Sequence, residues 1–205
     1  MSLVVVHADD HLVVVDKPAG MLSVPGRGAG KHDCAATRVQ ALHADACVVH
    51  RLDMATSGLL LMARGAAMQR ALSIAFAHRR VMKRYVAVVH GRMAADEGEI
   101  DLPLSADWPN RPRQRVDLVD GKASLTRYRV LSRDAATDTS RVELEPVTGR
   151  SHQLRVHLLA TGHPIVGDVL YGAAEAPRLM LHAGELSLAH PVSGAALRWR
   201  SEVPF

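Results

Sequence analysis

Short apolar runs alternate along this chain with polar and glycine-containing segments, and most runs have the length of a β-strand. The residues Leu3 to His7 and Leu12 to Asp16 are rich in valine and flank the turn-forming Ala8-Asp9-Asp10, which predicts two strands joined by a turn. The run Gly58 to Met62 is apolar, which predicts a buried strand. Further strands are predicted at Cys47 to His50, Met82 to His90, Ala123 to Leu131, Arg141 to Glu145, Leu179 to Leu188 and Ala196 to Arg200.

Helical patterns are predicted between these strands. Ala35 to Ala44 is predicted to form a short helix, and Ala66 to His78 has apolar residues at helical spacing. Ser151 is placed to cap a third helix that ends near Thr161, before Gly162. Strands mixed with a few helices, without regular βαβ alternation, predict an α+β fold around a mixed, largely antiparallel β-sheet flanked by helices and loops.

The loop from Lys17 to Asp33 superficially resembles a phosphate-binding loop at Gly26 to His32. Pro25 stands where that motif requires its first glycine, and His32 stands where it requires the serine or threonine that binds magnesium. The sequence therefore excludes a nucleoside triphosphatase of this type and predicts a flexible loop.

Composition indicates a soluble globular protein, since 48% of the 205 residues are hydrophobic and 22% are charged. No apolar run approaches the roughly 18 to 20 residues of a membrane helix. Met1 to His7 lacks the basic segment of a signal peptide, so we expect a cytoplasmic protein that does not bind membranes. Cys34 and Cys47 lack CxxC spacing and are predicted to be reduced thiols.

Arginine supplies most of the positive charge, because only four of the 25 basic residues are lysines and the net charge is +4. Guanidinium groups bind phosphate through two parallel hydrogen bonds and stack on bases. Two clusters are compatible with nucleic-acid binding or with a merely solvated face: Arg79, Arg80, Lys83 and Arg84, and Arg111, Arg113 and Arg115. An aromatic content of 3% argues against a row of exposed rings, so RNA binding would depend on phosphate contacts and RNA shape.

The segment His50-Arg51-Leu52-Asp53-Met54-Ala55-Thr56-Ser57-Gly58 places one carboxylate directly before a predicted buried strand. Loops held by rigid structure often present reactive side chains, and Arg51 would keep Asp53 ionised, as a carboxylate nucleophile requires. From these residues alone, an Asp ahead of Thr-Ser-Gly is more commonly a turn or cap residue than a catalyst.

The same nine residues resemble the catalytic-aspartate motif of the RluA family of pseudouridine synthases, which isomerise uridine to pseudouridine in RNA. Three further segments resemble that family in the same order, so the resemblance spans almost the whole chain. They are Lys17-Pro18-Ala19-Gly20, Lys83-Arg84-Tyr85-Val86-Ala87 and Thr148-Gly149-Arg150-Ser151-His152-Gln153-Leu154-Arg155-Val156-His157. Agreement of four separated motifs is far more specific than a match to one.

The resemblance implies a fold, a reaction and RNA partners. Residues 1–205 would form a single pseudouridine synthase catalytic domain without a separate N-terminal RNA-binding domain. The reaction neither oxidises nor hydrolyses, so no cofactor and no metal ion is expected. Asp107 to Gln114 further resembles a small family member with two substrates, which implies a 23S rRNA hairpin and a tRNA anticodon stem-loop as partners. We expect a monomer, and whether residues 20–33 contact RNA stays open.

Three catalytic residues are implied by the resemblance. Asp53 is the essential carboxylate, which attacks C1′ of the uridine or assists formation of a glycal intermediate. Tyr85 would stack on the flipped uracil and help to remove the C5 proton, and Arg155 would pair with Asp53. From the residues alone, Tyr85 is also compatible with core packing and Arg155 with an exposed helix position.

Further residues are implied to bind the RNA. Because a stacked uridine must be extruded, Arg51 is expected to occupy the vacated space, although a salt bridge within the Asp loop would also explain it. Leu181 would form part of the apolar wall of the uracil pocket. The other substrate-binding residues are Arg150 and His152, and, through phosphates, Arg79, Arg80, Arg111 and Arg113.

Other interpretations stay open at this point. A hydrolase would combine Ser57 with His50 and Asp53, but the segment lacks nucleophile-elbow spacing and residues so close in sequence rarely form a triad. Zinc binding is disfavoured because His152 and His157 are five positions apart, not three or four. A non-catalytic RNA-binding or ribosome-assembly protein would explain the charge, and a synthase with one RNA substrate, tRNA or rRNA, would explain the motifs.

Overall fold

The structure, a computed structural model, describes residues 2–26, 28, 30–172 and 176–205. The chain divides into two compact units. The first comprises Met1–Lys83 and His182–Pro204, and the second comprises Arg84–Leu181 together with Phe205. The prediction of one catalytic domain over residues 1–205 is not tested by this division and stays a prediction. Arg27 and Ala29, in the predicted flexible loop, lie outside the described residues.

Strands and a few helices alternate irregularly along the chain. In chain order the elements are β1 (Val4–Ala8), β2 (Leu12–Lys17), α1 (Ala35–Leu42), β3 (Ala46–Val48), β4 (Ser57–Arg64), α2 (Gly65–Ala77), β5 (Met82–His90), β6 (Glu97–Asp101), β7 (Leu104–Ala106), a 3-10 turn (Trp108–Asn110), β8 (Gln114–Val116), β9 (Leu125–Asp134), β10 (Thr139–Pro146), α3 (Gln153–Ala160), β11 (Leu181–Ala189) and β12 (Ala196–Arg200).

The first unit is organised around β4, which is buried along almost its whole length. The strand order is β1-β2-β4-β11, with β3 paired to β4 and β12 paired to β11. The pairing of β4 with β11 is parallel, and the other pairings are antiparallel. Alternate side chains of β2, β4 and β11 point to the same face, where they pack with α2. The buried members of this core are Leu12, Val14, Leu59, Leu61, Ala63, Leu72, Val81, Leu186 and Leu188.

The second unit is organised around antiparallel strands in the order β5-β10-β9-β6. The short hairpin of β7 and β8 accompanies them, and α3 packs on β8 through a small cluster that contains Leu104, Val156 and Tyr171. None of the helices in the described part of the chain has the length and apolar character needed to cross a bilayer.

The predicted α+β class with a largely antiparallel sheet is confirmed, and most predicted elements are present. The strands β5 and β12 have the predicted bounds, and α2 begins and ends one residue earlier than predicted. The strands β6, β7 and β8 were not predicted. Their segments are acidic or rich in proline and lack apolar alternation. The strand β6 is specified by its pairing with the distant β9, whereas β7 and β8 pair with each other in a short hairpin.

The prediction that Ser151 caps α3 is wrong. His152 occupies the cap position with a φ of 53°, in the left-handed region, and its side chain makes no cap hydrogen bond. The buried side chain of Gln153, the first residue of α3, instead fixes the chain that precedes the helix, because its Oε1 accepts from the Arg150 N–H at 3.0 Å and from the Thr148 hydroxyl at 2.7 Å. The start of α3 is therefore held by the side chain of its first residue and not by a capping hydroxyl.

Candidate active site

Asp53 lies in the loop between β3 and β4, and hydrogen bonds fix the chain before and after it. Buried Ser23 donates to the Leu52 carbonyl at 2.7 Å and accepts from the Leu52 N–H at 3.1 Å. The Asp53 carbonyl accepts from the Thr56 N–H at 3.1 Å. Asp53 itself is only partly buried. The main chain around Asp53 is therefore fixed, while Asp53 remains partly accessible to solvent.

Lys17 gives a physical role to the Lys17-Pro18-Ala19-Gly20 motif. It is fully buried, and its ammonium donates to the carbonyls of Pro18 at 3.0 Å, Met21 at 2.8 Å and Met54 at 3.2 Å. Three carbonyl acceptors match the three donors of an ammonium and offset the cost of burying it. The Gly20 N–H donates to the same Met54 carbonyl at 2.8 Å. The motif thus holds the residue that follows Asp53.

His50 at the start of the motif is a structural residue. Its Nε2 accepts from the Leu61 N–H at 2.9 Å, and its ring stacks on Phe76 with centroids 4.7 Å apart. Burial, with repulsion from Lys83, lowers the pKa of His50 from its ordinary 6.5 to about 3. His50 is therefore neutral near pH 7, and its Nε2 is occupied by the main chain.

Ser57 begins a buried hydrogen-bond chain that the sequence did not reveal. Its Oγ lies 2.8 Å from His182 Nδ1, while His182 Nε2 lies 3.0 Å from the Ser201 hydroxyl, which donates to Asp16. A carboxylate only accepts, so Ser201 accepts from Nε2–H and Nδ1 accepts from the Ser57 hydroxyl. Ser57 is 3% exposed and donates to His182 rather than His50. The proposed hydrolase triad of Ser57, His50 and Asp53 is therefore wrong.

Three arginines predicted to meet RNA lie on the surface of the first unit. Arg51 in the Asp loop, and Arg79 and Arg80 just after α2, are all exposed. The turn after α2 is well defined, because Arg79 has a φ of 58° and the Arg80 N–H donates to the Ala75 carbonyl at 2.8 Å. Their positions are compatible with contact to a polyanion, and their RNA contacts stay predictions.

An open groove on the first unit adjoins Met54. Its lining residues are Gly20, Met21, Leu22, Gly26, Gly30, Lys31, Asp33, Arg38 and Met54. Arg38 donates to both carboxylate oxygens of Asp33, at 2.6 and 2.7 Å, and this pairing lowers the pKa of Asp33. The groove thus combines apolar lining residues with the exposed cation Lys31.

The second unit contains the other two predicted catalytic residues. Tyr85 lies on β5, opposite Leu144 of β10, and is partly buried. Arg155 lies in α3 and is only 4% exposed, so the alternative of an exposed helix arginine is wrong. Its guanidinium donates to both oxygens of buried Asp168, at 2.7 and 2.6 Å. Its pairing with Asp53 stays a prediction.

Tyr171 connects several predicted site residues of the second unit. The guanidiniums of Arg155 and Arg113 lie 5.1 and 5.3 Å from its ring centroid. Its hydroxyl accepts from the Gln114 N–H at 2.8 Å and lies 2.8 Å from His152 Nδ1, to which it can donate. Tyr171 thereby contacts three parts of the predicted site. These are the segment that follows Arg113, His152 before α3, and the buried Arg155 within α3.

The remaining predicted binding residues are distributed over the second unit. Arg150 is exposed and donates to the Ala123 carbonyl at 3.3 Å, and Leu181 is buried at the start of β11. The Arg111 guanidinium stacks on Trp108, 3.2 Å from the ring centroid. Within the described residues, no group of three or more His, Cys, Asp or Glu side chains is arranged to hold a metal ion.

Sequence reasoning missed Lys17 as an anchor, Asp168 as the partner of Arg155, and Tyr171 and His182 as connecting residues. A signal for Asp168 existed, because an arginine within a helix rich in leucine and valine suggests a buried guanidinium, which requires a carboxylate partner. Its partner could then be sought among the few acidic residues that follow α3. No comparable signal marked Tyr171 or His182.

Comparison with known proteins gives a consistent result along the whole chain. Residues 11–160 match the family described as RNA pseudouridylate synthase. The chain is 50% identical over 207 residues to the dual-specificity RNA pseudouridine synthase RluA of Yersinia pestis, covering 99% of this chain and all of that protein. It is 49% identical to the protein of the same description from Escherichia coli K12, covering 99% and 94% of the two chains. The solved structure of human RNA pseudouridylate synthase domain containing 1 superposes with a TM-score of 0.83 at 29% identity, covering 100% of this chain and 84% of that one.

Proposed function

Because the chain belongs to the RNA pseudouridylate synthase family and is an RNA pseudouridine synthase, we propose that it modifies uridines in two RNAs, a 23S rRNA hairpin and a tRNA anticodon stem-loop. Two relatives that are about half identical over the full length are described as dual-specificity enzymes, which supports two substrates over one. We also propose that the protein is a monomer and that it is located in the cytoplasm.

The presentation of Asp53 supports its role as the essential carboxylate. The residues on both sides of it are held through Ser23 and Lys17, so the carboxylate has a defined position at a partly open site. Catalysis benefits from such preorganisation, because a reacting group already in place needs no ordering during the reaction. A residue that served only to cap a turn would not require a buried lysine to hold its neighbour.

The proposed reaction breaks the C1′–N1 bond of uridine, turns the detached uracil and joins C1′ to C5. The proton on C5 is lost and N1 gains one, so nothing is oxidised or hydrolysed. Asp53 attacks C1′ or assists formation of a glycal, and Tyr85 stacks on the uracil and helps to remove the C5 proton. Arg155, aimed by its bidentate bond to Asp168, pairs with the charged Asp53.

RNA binding in this proposal relies on exposed cations and on base extrusion. Arg51 occupies the space that the flipped uridine leaves, and Leu181 forms part of the apolar wall of the uracil pocket. Arg79, Arg80, Arg111 and Arg113 bind phosphates. Their contribution should appear as a steep fall of affinity with rising salt, because each phosphate contact releases counterions.

The Asp53→Asn variant tests the catalytic role. The amide keeps the shape of the carboxylate but loses its charge, so turnover should fall by more than about a hundredfold with RNA affinity nearly unchanged. Pseudouridine is scored by carbodiimide-stop primer extension on an anticodon stem-loop. Asp10→Asn, at an exposed turn of the same unit, is the control and should keep wild-type turnover. Turnover of Asp53→Asn within about tenfold of wild type would contradict the assignment.

Two short stem-loops, one from each RNA, test the dual specificity. The purified protein should modify both, because a short loop that the enzyme can remodel is all that it needs to recognise. If one stem-loop stays unmodified at saturating enzyme and low salt while the other is converted, the enzyme has a single substrate and remains a synthase.

A further inference from the structure

Trp108 is an unusually exposed aromatic residue in this chain. It lies in the 3-10 turn between β7 and β8 and is 66% exposed. The Arg111 guanidinium covers one face of the indole at 3.2 Å from the ring centroid. With that face covered and two thirds of the residue accessible, the opposite face is open to solvent. Covering this face with a ligand would remove apolar surface from water, which is favourable.

The loop around Trp108 is held in shape by its own hydrogen bonds. The Asp107 N–H donates to the Arg113 carbonyl, the Arg113 N–H to the Asn110 carbonyl and the Asn110 N–H to the Asp107 carbonyl, each at 3.0 Å. The Asn110 side chain also donates to the Asp107 carboxylate at 2.9 Å. The indole is therefore presented by an ordered loop, and little conformational entropy is lost when a ligand covers it.

The same loop is connected to the proposed catalytic machinery of the second unit. The Gln114 N–H, directly after the loop, donates to the Tyr171 hydroxyl, and the Tyr171 ring contacts Arg155. A ligand on Trp108 and a group aligned by Arg155 would thus bind to parts of one connected network. This placement favours a part of the substrate RNA as the ligand of the indole.

We propose that Trp108, backed by Arg111, is a stacking platform for an unpaired nucleobase of the substrate RNA. The proposal rests on the proposed function, since it assumes that an RNA loop is bound. A flat apolar ring suits the face of a base, and a stacked guanidinium adds positive charge next to the phosphates that flank it. The loop carries Arg111 and Arg113 against Asp107, so its charge favours an anionic ligand. Arg111 accordingly supports the platform in addition to its proposed phosphate contact.

Tryptophan fluorescence tests the platform directly, because the chain has only two tryptophans. The other, Trp199, lies on β12 of the first unit, where it packs against the core beside His7. A Trp199→Phe protein reports on Trp108 alone, and a Trp108→Phe protein reports on Trp199 alone. Titration with an anticodon stem-loop should quench the emission of the first protein strongly and leave that of the second nearly constant. An abasic site at the stacked loop position should abolish the quenching while binding persists.

Affinity measurements separate stacking from charge. Loss of one base–aromatic stack costs about 1 to 3 kcal/mol, so Trp108→Ala should weaken stem-loop binding roughly five- to hundredfold. Stacking releases no counterions, so the slope of log affinity against log salt should not change, whereas loss of a phosphate contact would reduce it. The control is Val119→Ala, which truncates an apolar side chain that is 90% exposed and is followed by Asp120, and this variant should bind as wild type.

The outcomes distinguish this inference from the proposed function. If the Trp199→Phe protein forms pseudouridine but its emission does not respond to saturating stem-loop, the platform is wrong and the synthase assignment stands. A Trp108→Ala affinity within about twofold of wild type overturns the platform as well. If the wild-type and Trp199→Phe proteins both fail to form pseudouridine in either stem-loop, the proposed substrates are wrong.

Discussion

Replacement of Gly58 by alanine should destabilise the first unit by about 2 to 6 kcal/mol. Gly58 has a φ of +110°, which an alanine adopts at a cost of about 1 to 3 kcal/mol. A Cβ at this position would lie 2.3 Å from the Ala183 carbonyl oxygen and 2.6 Å from the Ala183 nitrogen. Both atoms are main chain, so β4 and β11 must separate, and such overpacking costs about a further 1 to 3 kcal/mol.

Urea denaturation followed by circular dichroism measures this effect. With an m value of about 2 kcal/mol per M, the midpoint should fall by roughly 1 to 3 M. Gly65→Ala is the matched control, since its φ is +74° but no atom lies within 4 Å of the added Cβ. It should lose only the backbone contribution of about 1 to 2 kcal/mol. Equal midpoints for the two variants would refute the argument that the close approach of β11 requires glycine at position 58.

Two further predictions concern buried ionisable groups. Asp168→Asn should destabilise the protein by about 3 kcal/mol or more and reduce turnover, because Arg155 loses the charged partner that aims it. The control Glu99→Gln breaks an exposed ion pair and should change neither the urea midpoint nor turnover. His50 has a folded pKa of about 3 and an ordinary pKa of 6.5, so only the unfolded chain gains its proton as pH falls below about 6.5. Its contribution to the free energy of unfolding is complete above that pH and should fall by about 2 kcal/mol at pH 5. The free energy of unfolding should depend less on pH in His50→Gln than in the control His32→Gln. Identical slopes of this free energy against pH would contradict the low pKa of His50 in the folded protein.

Local pattern predicts the elements whose hydrophobic period is visible in the sequence. In β5 the positions from Val86 to His90 alternate between partly buried and buried, and Gly91 follows the strand, so this strand was predictable from its own residues. The strand β6 has no such pattern. Its Glu99 faces Arg127 across the pairing with β9, at 2.8 Å, and that partner is 28 positions away. A strand specified by a distant partner cannot be predicted from its own residues.

The residues of the candidate site likewise divide into those that local sequence identifies and those that act through distant contacts. Motif resemblance selects Asp53, Tyr85 and Arg155, because their neighbours in sequence identify them. The residues that hold them act across long sequence separations: Lys17 reaches Met54, 37 positions away. The carbonyl groups that bind this buried lysine have no signature in composition or spacing, since they are main-chain atoms that every residue possesses.

The hydrogen bond between Ser201 and Asp16 joins residues 185 positions apart, so the first unit cannot be completed until almost the whole chain has been synthesised on the ribosome. The apolar face of β4 is completed by Leu186 and Leu188 of β11. About 120 residues must be translated after β4 before β11 emerges, a delay of roughly 6 to 24 seconds at common elongation rates. Throughout this interval Leu59 and Leu61 of the nascent chain lack the β11 side chains that pack against them in the folded protein. Faster elongation shortens the exposure, and crowded polysomes bring neighbouring copies close enough to aggregate through the same surface.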